Sequence, residues 1–136
     1  MIVDTGPLVA LLDRRDSYHE WITTQVEILP VDWIVCESVL AEAWYLIRNT
    51  ADGQDRLMEM LEIGVLTCGF DLQTEARAVR ALCLKYRDVP MSLADACVVR
   101  MSELYRDHLV LTLDSDFLVY RRFGHEPIRL ISPHNP

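Results

Sequence analysis

Four stretches of this 136-residue sequence place acidic residues where chemistry is possible. Asp4 follows Met1-Ile2-Val3, Glu42 ends Val39-Leu40-Ala41-Glu42, Asp95 lies in Met91-Ser92-Leu93-Ala94-Asp95-Ala96, and Asp114 and Asp116 lie in Thr112-Leu113-Asp114-Ser115-Asp116-Phe117. Asp4 and Asp114 come directly after short aliphatic runs that read as strands, the position at which open parallel sheets bind ligands. Each also has a plainer reading: Asp4 as the lead into a helix opened by Gly6-Pro7, and Asp114, Ser115 or Asp116 as the cap of a helix containing Phe117. Asp95 is the only charged residue between Pro90 and Val99 and shares its face with Val98 and Val99 a turn later, which points to partial burial. A capping box with Ser92 accounts for it equally well. Glu42 flanks an apolar stripe running from Val39 to Leu46, where an unpaired carboxylate carries a large desolvation cost and needs a cation. A salt bridge or a surface position would relieve it, and Glu37, nearer the end of the preceding strand, competes for its role.

Taken together, two aspartates after strands and two acids on mostly apolar helical faces form a cluster of like charge that calls for a bound divalent cation. Oxygen ligands alone select Mg²⁺ or Mn²⁺. A carboxylate cluster of that kind suits metal-assisted phosphoryl-oxygen chemistry, in which water is the nucleophile and no protein nucleophile is required. Softer metals have no support, because His19, His108, His125 and His134 include no i, i+4 pair and Cys36, Cys68, Cys83 and Cys97 include no C-x-x-C. The cysteines sit in apolar contexts and read as reduced thiols packed as small hydrophobes.

Rival motifs fail on context. Asp4-Thr5-Gly6 matches the tripeptide of aspartic proteases, but those enzymes set it in an all-β framework, whereas Gly6-Pro7 here feeds a helix. A haloacid-dehalogenase-type phosphatase needs Asp-x-Asp after the first strand, and a receiver domain needs a Lys after a late strand; the single Lys, Lys85, falls in a helical stretch. No Gly-rich phosphate loop occurs.

The elements that must position these acids follow from hydrophobic period and punctuation. Met1–Val3, Trp33–Cys36, Val65–Cys68, Leu109–Leu113 and Ile128–Ile131 read as five buried strands. Between them, Gly6–Leu12 opens a helix with Pro7 in its first turn, where the missing N–H costs nothing. Ser17-Tyr18-His19-Glu20 has the capping-box pattern of a second helix running toward Glu27. Helical stripes follow over Ser38–Asn49, from Asp52-Gly53 through Ile63, and over Leu72–Arg87, which Pro90 ends because the residue before a proline avoids the α region. Ser92 opens another helix to about Tyr105, and Phe117–Arg122 reads as a short one. Aliphatic strands alternating with helices predict an α/β fold, a parallel sheet covered on both faces with right-handed crossovers.

The chain has room for one domain, residues 1–136, and at 51% hydrophobic residues it has material for an ordinary core. Five Gly, six Pro and 25% charged residues exclude collagen, low-complexity disorder and a coiled-coil rod. No apolar run reaches the length of a membrane span, and the N-terminus lacks the basic and apolar regions of a signal peptide, so the expected location is the cytoplasm. The net charge of −8 argues against a general grip on nucleic acid. Setting aside five acids at a metal site, however, leaves sixteen against thirteen bases, a surface balanced enough to hold a phosphate chain locally. Twelve of those bases are Arg, whose forked guanidinium suits phosphate oxygens.

Val3-Asp4-Thr5-Gly6-Pro7-Leu8, Val39-Leu40-Ala41-Glu42, Met91-Ser92-Leu93-Ala94-Asp95-Ala96 and Thr112-Leu113-Asp114-Ser115-Asp116-Phe117 together resemble the PIN-domain ribonucleases, most closely VapC-type toxins of toxin–antitoxin systems. The resemblance covers nearly the whole chain, with the last two motifs the most specific. It implies a three-layer fold whose central parallel sheet has the order 3-2-1-4-5, flanked by helices, with Asp4, Glu42, Asp95 and Asp114 as the catalytic acidic quartet and Asp116 as an additional metal-binding acid. Thr5 and Thr112 would support the quartet. The implied activity is Mg²⁺- or Mn²⁺-dependent endonucleolytic cleavage of RNA, leaving a 5′-phosphate and a 3′-hydroxyl. The implied partners are an RNA substrate, a cognate antitoxin and a second copy of the chain, with no membrane. A homodimer finds candidate surface in Trp44, Tyr45, Met58 and Met60. Two other functions share the motifs: a binding or assembly module with little catalysis, and a structure-specific DNA nuclease.

Overall fold

The computed structural model describes residues 1–30 and 32–135; Val31 and Pro136, which fall within the domain expected over 1–136, lie outside the described residues. Strand β1 (Ile2–Val3) leads through Asp4 into helix α1 (Thr5–Leu12), followed by α2 (His19–Ile28), β2 (Trp33–Val35), α3 (Glu37–Leu46), α4 (Gly53–Glu62), β3 (Leu66–Cys68), α5 (Leu72–Lys85), α6 (Leu93–Leu104) and β4 (Val110–Leu111). A 3₁₀ turn at Ser115–Leu118 then precedes β5 (Arg121–Arg122), β6 (Glu126–Pro127) and β7 (Leu130–Ile131).

Five strands form one parallel sheet in the order β3-β2-β1-β4-β7. Ile2 aligns with Ile34 on one side and Val110 on the other, so β1 is the central strand from which the chain winds outward in both directions. That is the three-layer α/β architecture expected, with one difference in count. The outer strand is the seventh rather than the fifth, because β5 and β6 form a separate antiparallel hairpin. The expected helix over Phe117–Arg122 is replaced by the 3₁₀ turn and this hairpin. Phe123 and Gly124, both at positive φ, make its tight reversal.

Ile2, Val3, Val110 and Leu111 are fully buried, as the aliphatic runs of a sheet covered on both faces require. Helix α6 is buried along most of its length, through Ala94, Ala96, Cys97, Val98, Val99 and Met101, with Leu93 and Leu104 exposed at its two ends. Helix α1 packs on α2, α3 and α4, and α5 packs on α6. At Gly6 an added Cβ would lie 3.1 Å from Leu113 Cβ, so the absence of a side chain lets α1 begin tight against the segment leaving β4. The capping box expected at Ser17 does not form; Asp16 Oδ1 takes the Tyr18 N–H instead at 2.9 Å, and Tyr18 is the cap residue of α2. All four cysteines are free, but only Cys36 and Cys97 are buried, while Cys68 is exposed on the edge strand β3.

Candidate active site

Because β1 and β4 are adjacent and parallel, both release their chains at the same edge of the sheet, and the residues that follow them are Asp4 and Asp114. The first turn of α6 brings Asp95 to that edge, and α3, packed against α1, brings Glu42. These four carboxylates line one open cavity of about 590 Å³. Glu37 does not reach it: that side chain borders a separate cleft with Cys36, Phe70 and Asp71. Asp116 is not among the lining residues either; its backbone N–H donates to Asp114 Oδ1 at 2.9 Å, just behind the wall.

Each of the four acids is tethered through one oxygen. Thr112 Oγ1 donates to Asp4 Oδ2 at 2.7 Å, and Thr5 Oγ1 donates to Glu42 Oε2 at 2.8 Å. Asp95 Oδ2 accepts from Tyr120 Oη at 3.0 Å and from the Ser92 N–H at 3.3 Å. Asp114 Oδ1 accepts from Asp116 N–H. In each case the partner oxygen, Oδ1 of Asp4 and Asp95, Oε1 of Glu42 and Oδ2 of Asp114, makes no side-chain hydrogen bond among the described residues, although the Thr5 N–H lies close enough to Asp4 to favour its ionised form. The chain therefore holds every carboxylate in a fixed orientation while leaving one oxygen of each for something else.

The plainer readings hold in part at all four positions. Asp95 closes a capping box with Ser92, and Asp114 caps the 3₁₀ turn, yet each does so with one oxygen only. Asp4 stands at the cap position of α1 but makes no capping bond. Glu42 takes the surface position that was its plainer reading: it is exposed rather than buried on an apolar face, and its partner is the Thr5 hydroxyl rather than a cation.

Charge balance in the cavity is one-sided. Its lining includes Asp4, Asp16, Glu42, Asp95 and Asp114 but no Lys or Arg. Burial of Asp4, only 4% exposed, raises its pKa from 3.8 to about 7, with Asp95 and Asp114 pushing the same way and the Thr112 hydroxyl opposing. Burial also raises the pKa of Asp95, against the stabilising bonds from Tyr120 and Ser92. Among the described residues, no three His, Cys, Asp or Glu side chains converge closely enough to make a ready-formed ion cage. The donor set still fits a hydrated divalent ion: it consists of oriented carboxylate oxygens around an open cavity with room for the ion's waters, and Mg²⁺ characteristically keeps several waters and takes only one or two carboxylates.

Other contributors to the site are not identified from sequence. Asp16 and Tyr18 come from the α1–α2 loop, and His134, after β7, reaches the rim with Nε2 3.0 Å from the Leu113 carbonyl oxygen. Tyr120, fully buried, aims its hydroxyl at Asp95. Asp16 has a local signal in its Asx-turn position ahead of α2. His134 and Tyr120 arrive by tertiary packing and have none.

The PIN domain family model matches residues 1–122. Ribonuclease VapC26 of Mycobacterium tuberculosis (strain ATCC 25618 / H37Rv) is 28% identical over 120 residues, covering 84% of this chain and 86% of the relative.

Proposed function

Since the chain belongs to the PIN-domain family, we propose that it is an endoribonuclease that hydrolyses RNA phosphodiesters with Mg²⁺ or Mn²⁺, and that it acts as the toxin of a toxin–antitoxin pair. The observation that carries this reading is the set of carboxylates with one tethered and one free oxygen around a cavity without a Lys or Arg. The relative's name as a ribonuclease supports RNA as the substrate.

In this reading Asp4, Asp95 and Asp114, with Glu42, hold the ion, and Asp116 adds negative charge behind them. The bound ion would supply an activated water and neutralise charge at the scissile phosphate. The chain's own part is orientation. Thr112 and Thr5 fix Asp4 and Glu42, Tyr120 and Ser92 fix Asp95, and the turn at Asp116 fixes Asp114, so the acids need not reorganise when substrate arrives. Asp4 and Asp95, whose burial favours protons in the ion-free protein, would have to lose them to hold the ion, so ion binding should strengthen as pH rises.

Two partners follow. An antitoxin segment would place an Arg near Asp4, Asp95 and Asp114, substituting a guanidinium for the ion; rising Mn²⁺ should then dissociate the pair, and a complex that still cleaves RNA fully would contradict this. A second copy of the chain would cover Trp44, Tyr45 and Met58, which are exposed, whereas Met60 is half-buried and contributes less. Light scattering at micromolar concentration should give a dimer mass. Among the described residues no helix is long and apolar enough to cross a membrane.

The experiment for the activity is cleavage of labelled single-stranded RNA with and without EDTA. Chelation should abolish cleavage, and Asp4→Asn, Asp95→Asn or Asp114→Asn should each reduce it by orders of magnitude, with Glu42→Gln less severe. Undiminished cleavage in EDTA or by Asp95→Asn contradicts the proposal.

A further inference from the structure

Helices α1 and α3 pack side by side, and the residues lining the acidic cavity continue along both at helical spacing. On α1 the sequence is Thr5, Gly6, Val9, then Leu12 and Asp13; on α3 it is Glu42, Leu46, then Asn49 and Thr50 beyond its end. The first members of each set border the acidic cavity, and the last members border a second cavity of about 500 Å³. The α1–α2 loop makes the same passage, since Asp16, Ser17 and Tyr18 line the first cavity and Asp13, Arg14 and Arg15 the second. The two cavities are thus neighbours, their linings meeting on α1 between Val9 and Leu12, roughly 5 Å apart along the helix axis.

Their charges are opposite. The second cavity is lined by Arg14, Arg15 and Arg56, with the side chains of Asn49 and Thr50 beside them. Its one acid, Asp13, is taken by Arg15, whose Nε lies 3.2 Å from Asp13 Oδ1. Arg14 and Arg56 are exposed and make no ion pair among the described residues. In a chain of net charge −8, two unpaired guanidiniums facing one cavity next to a carboxylate site form a local anion trap.

We propose that the cavity lined by Arg14, Arg15 and Arg56 is a phosphate subsite that holds the RNA strand by a neighbouring phosphodiester, so that the reacting one lies over the acids. The subsite rests on the nuclease reading above and extends it. A phosphate placed there receives forked N–H donors, which is the interaction Arg makes best, and an amide and a hydroxyl from Asn49 and Thr50 complete its environment. The apolar side chains of Val9 and Leu46 between the cavities offer a surface on which a base can lie. The device answers a physical difficulty, because a strand approaching an acidic pocket is repelled until an ion is in place. Cations in the adjoining cavity supply attraction without neutralising the acids themselves. An acidic peptide would meet the same guanidiniums but, unlike RNA, carries no phosphodiester to place over the acids once an ion is bound.

The test is fluorescence anisotropy of an end-labelled oligouridine RNA in EDTA, titrated at several salt concentrations. Arg14→Ala/Arg56→Ala is compared with Arg77→Ala/Arg80→Ala, a pair of exposed arginines on α5 outside both cavities that removes the same charge. The subsite predicts at least about a tenfold weaker complex for the first pair and little change for the second. The dependence of log K on log salt should become shallower by about 0.7 for each phosphate that the variant no longer neutralises. Equal weakening in both pairs would reduce the effect to net charge and overturn the proposal. Unchanged RNA binding by Arg14→Ala/Arg56→Ala would also overturn it and leave an acidic peptide as the occupant the charges fit. Binding in EDTA is read without cleavage, so failure of the nuclease reading would appear separately, as wild-type protein that binds through these arginines but does not cut in Mn²⁺.

Discussion

Two groups of acids in this molecule, each with sheltered members, are treated in opposite ways. Glu75 and Glu103 are answered by Arg100, at 2.8 and 3.1 Å, with the Glu103 side chain 11% exposed. Asp4, at 4% exposed, has only a threonine hydroxyl, and no cation of the described residues reaches Asp95, Asp114 or Glu42 either. Burial therefore does not separate the groups; the source of the positive charge does. Where an acid serves the fold, the chain supplies the counter-charge, as Arg122 also does for Glu126 at 2.6 Å. At the ends of β1 and β4 it supplies orientation and, among the described residues, no counter-charge.

The comparison breaks first, and by the largest effect, in catalysis. Asp95→Asn should lower RNA cleavage by orders of magnitude, whereas Glu103→Gln, on the same helix two turns later, should stay within a few-fold of wild type. Equal reductions in cleavage rate would mean that α6 was merely being destabilised.

A smaller effect, of opposite sign in the two groups, is expected in stability without metal. With the Asp4 pKa raised to about 7, the native state binds more protons than the unfolded state between about pH 4 and pH 7, so Asp4 makes stability fall as pH rises through that window. Each pKa unit corresponds to about 1.4 kcal/mol. Asp4→Asn should consequently melt higher than wild type at pH 8, with the gap closing toward pH 4, in thermal scans with EDTA. A lower melting temperature at pH 8 would show that the carboxylate is a structural acceptor for Thr112. Smallest of all, Glu103→Gln should destabilise at pH 8 by on the order of 1 kcal/mol, because it removes one arm of a partly buried pair.

What the sequence carries and what it lacks divide along the same physical line. Aliphatic runs such as Met1-Ile2-Val3 and Leu109-Val110-Leu111 encode a buried parallel sheet locally, and Asp4 and Asp114 are legible because the sheet's topology sends both strand ends to one crevice. The Ser92–Asp95 box is also legible, being a four-residue signal, although it leaves the second oxygen of Asp95 unaccounted for. The β5–β6 hairpin is not, since two-residue strands containing Arg121, Arg122 and Pro127 carry no hydrophobic alternation. The box at Ser17 fails because Asp16, one residue earlier, is the better acceptor for the same turn. The neighbours of Glu42 in the stripe predict burial, but α3 turns Val39 and Ala43 inward and leaves Glu42 at the groove, held by Thr5. Tyr120 and His134 reach the site only through packing over long sequence separations, which no local pattern encodes.

If the unpaired carboxylates are kept for a divalent ion, direct Mn²⁺ binding shows it without reference to activity. Titration of Mn²⁺ followed by the electron paramagnetic resonance signal of the free ion should show the wild-type protein removing Mn²⁺ from solution, more tightly at pH 8 than at pH 6, and Asp4→Asn/Asp95→Asn leaving it free. Equal Mn²⁺ uptake by wild type and by that double variant would contradict the account.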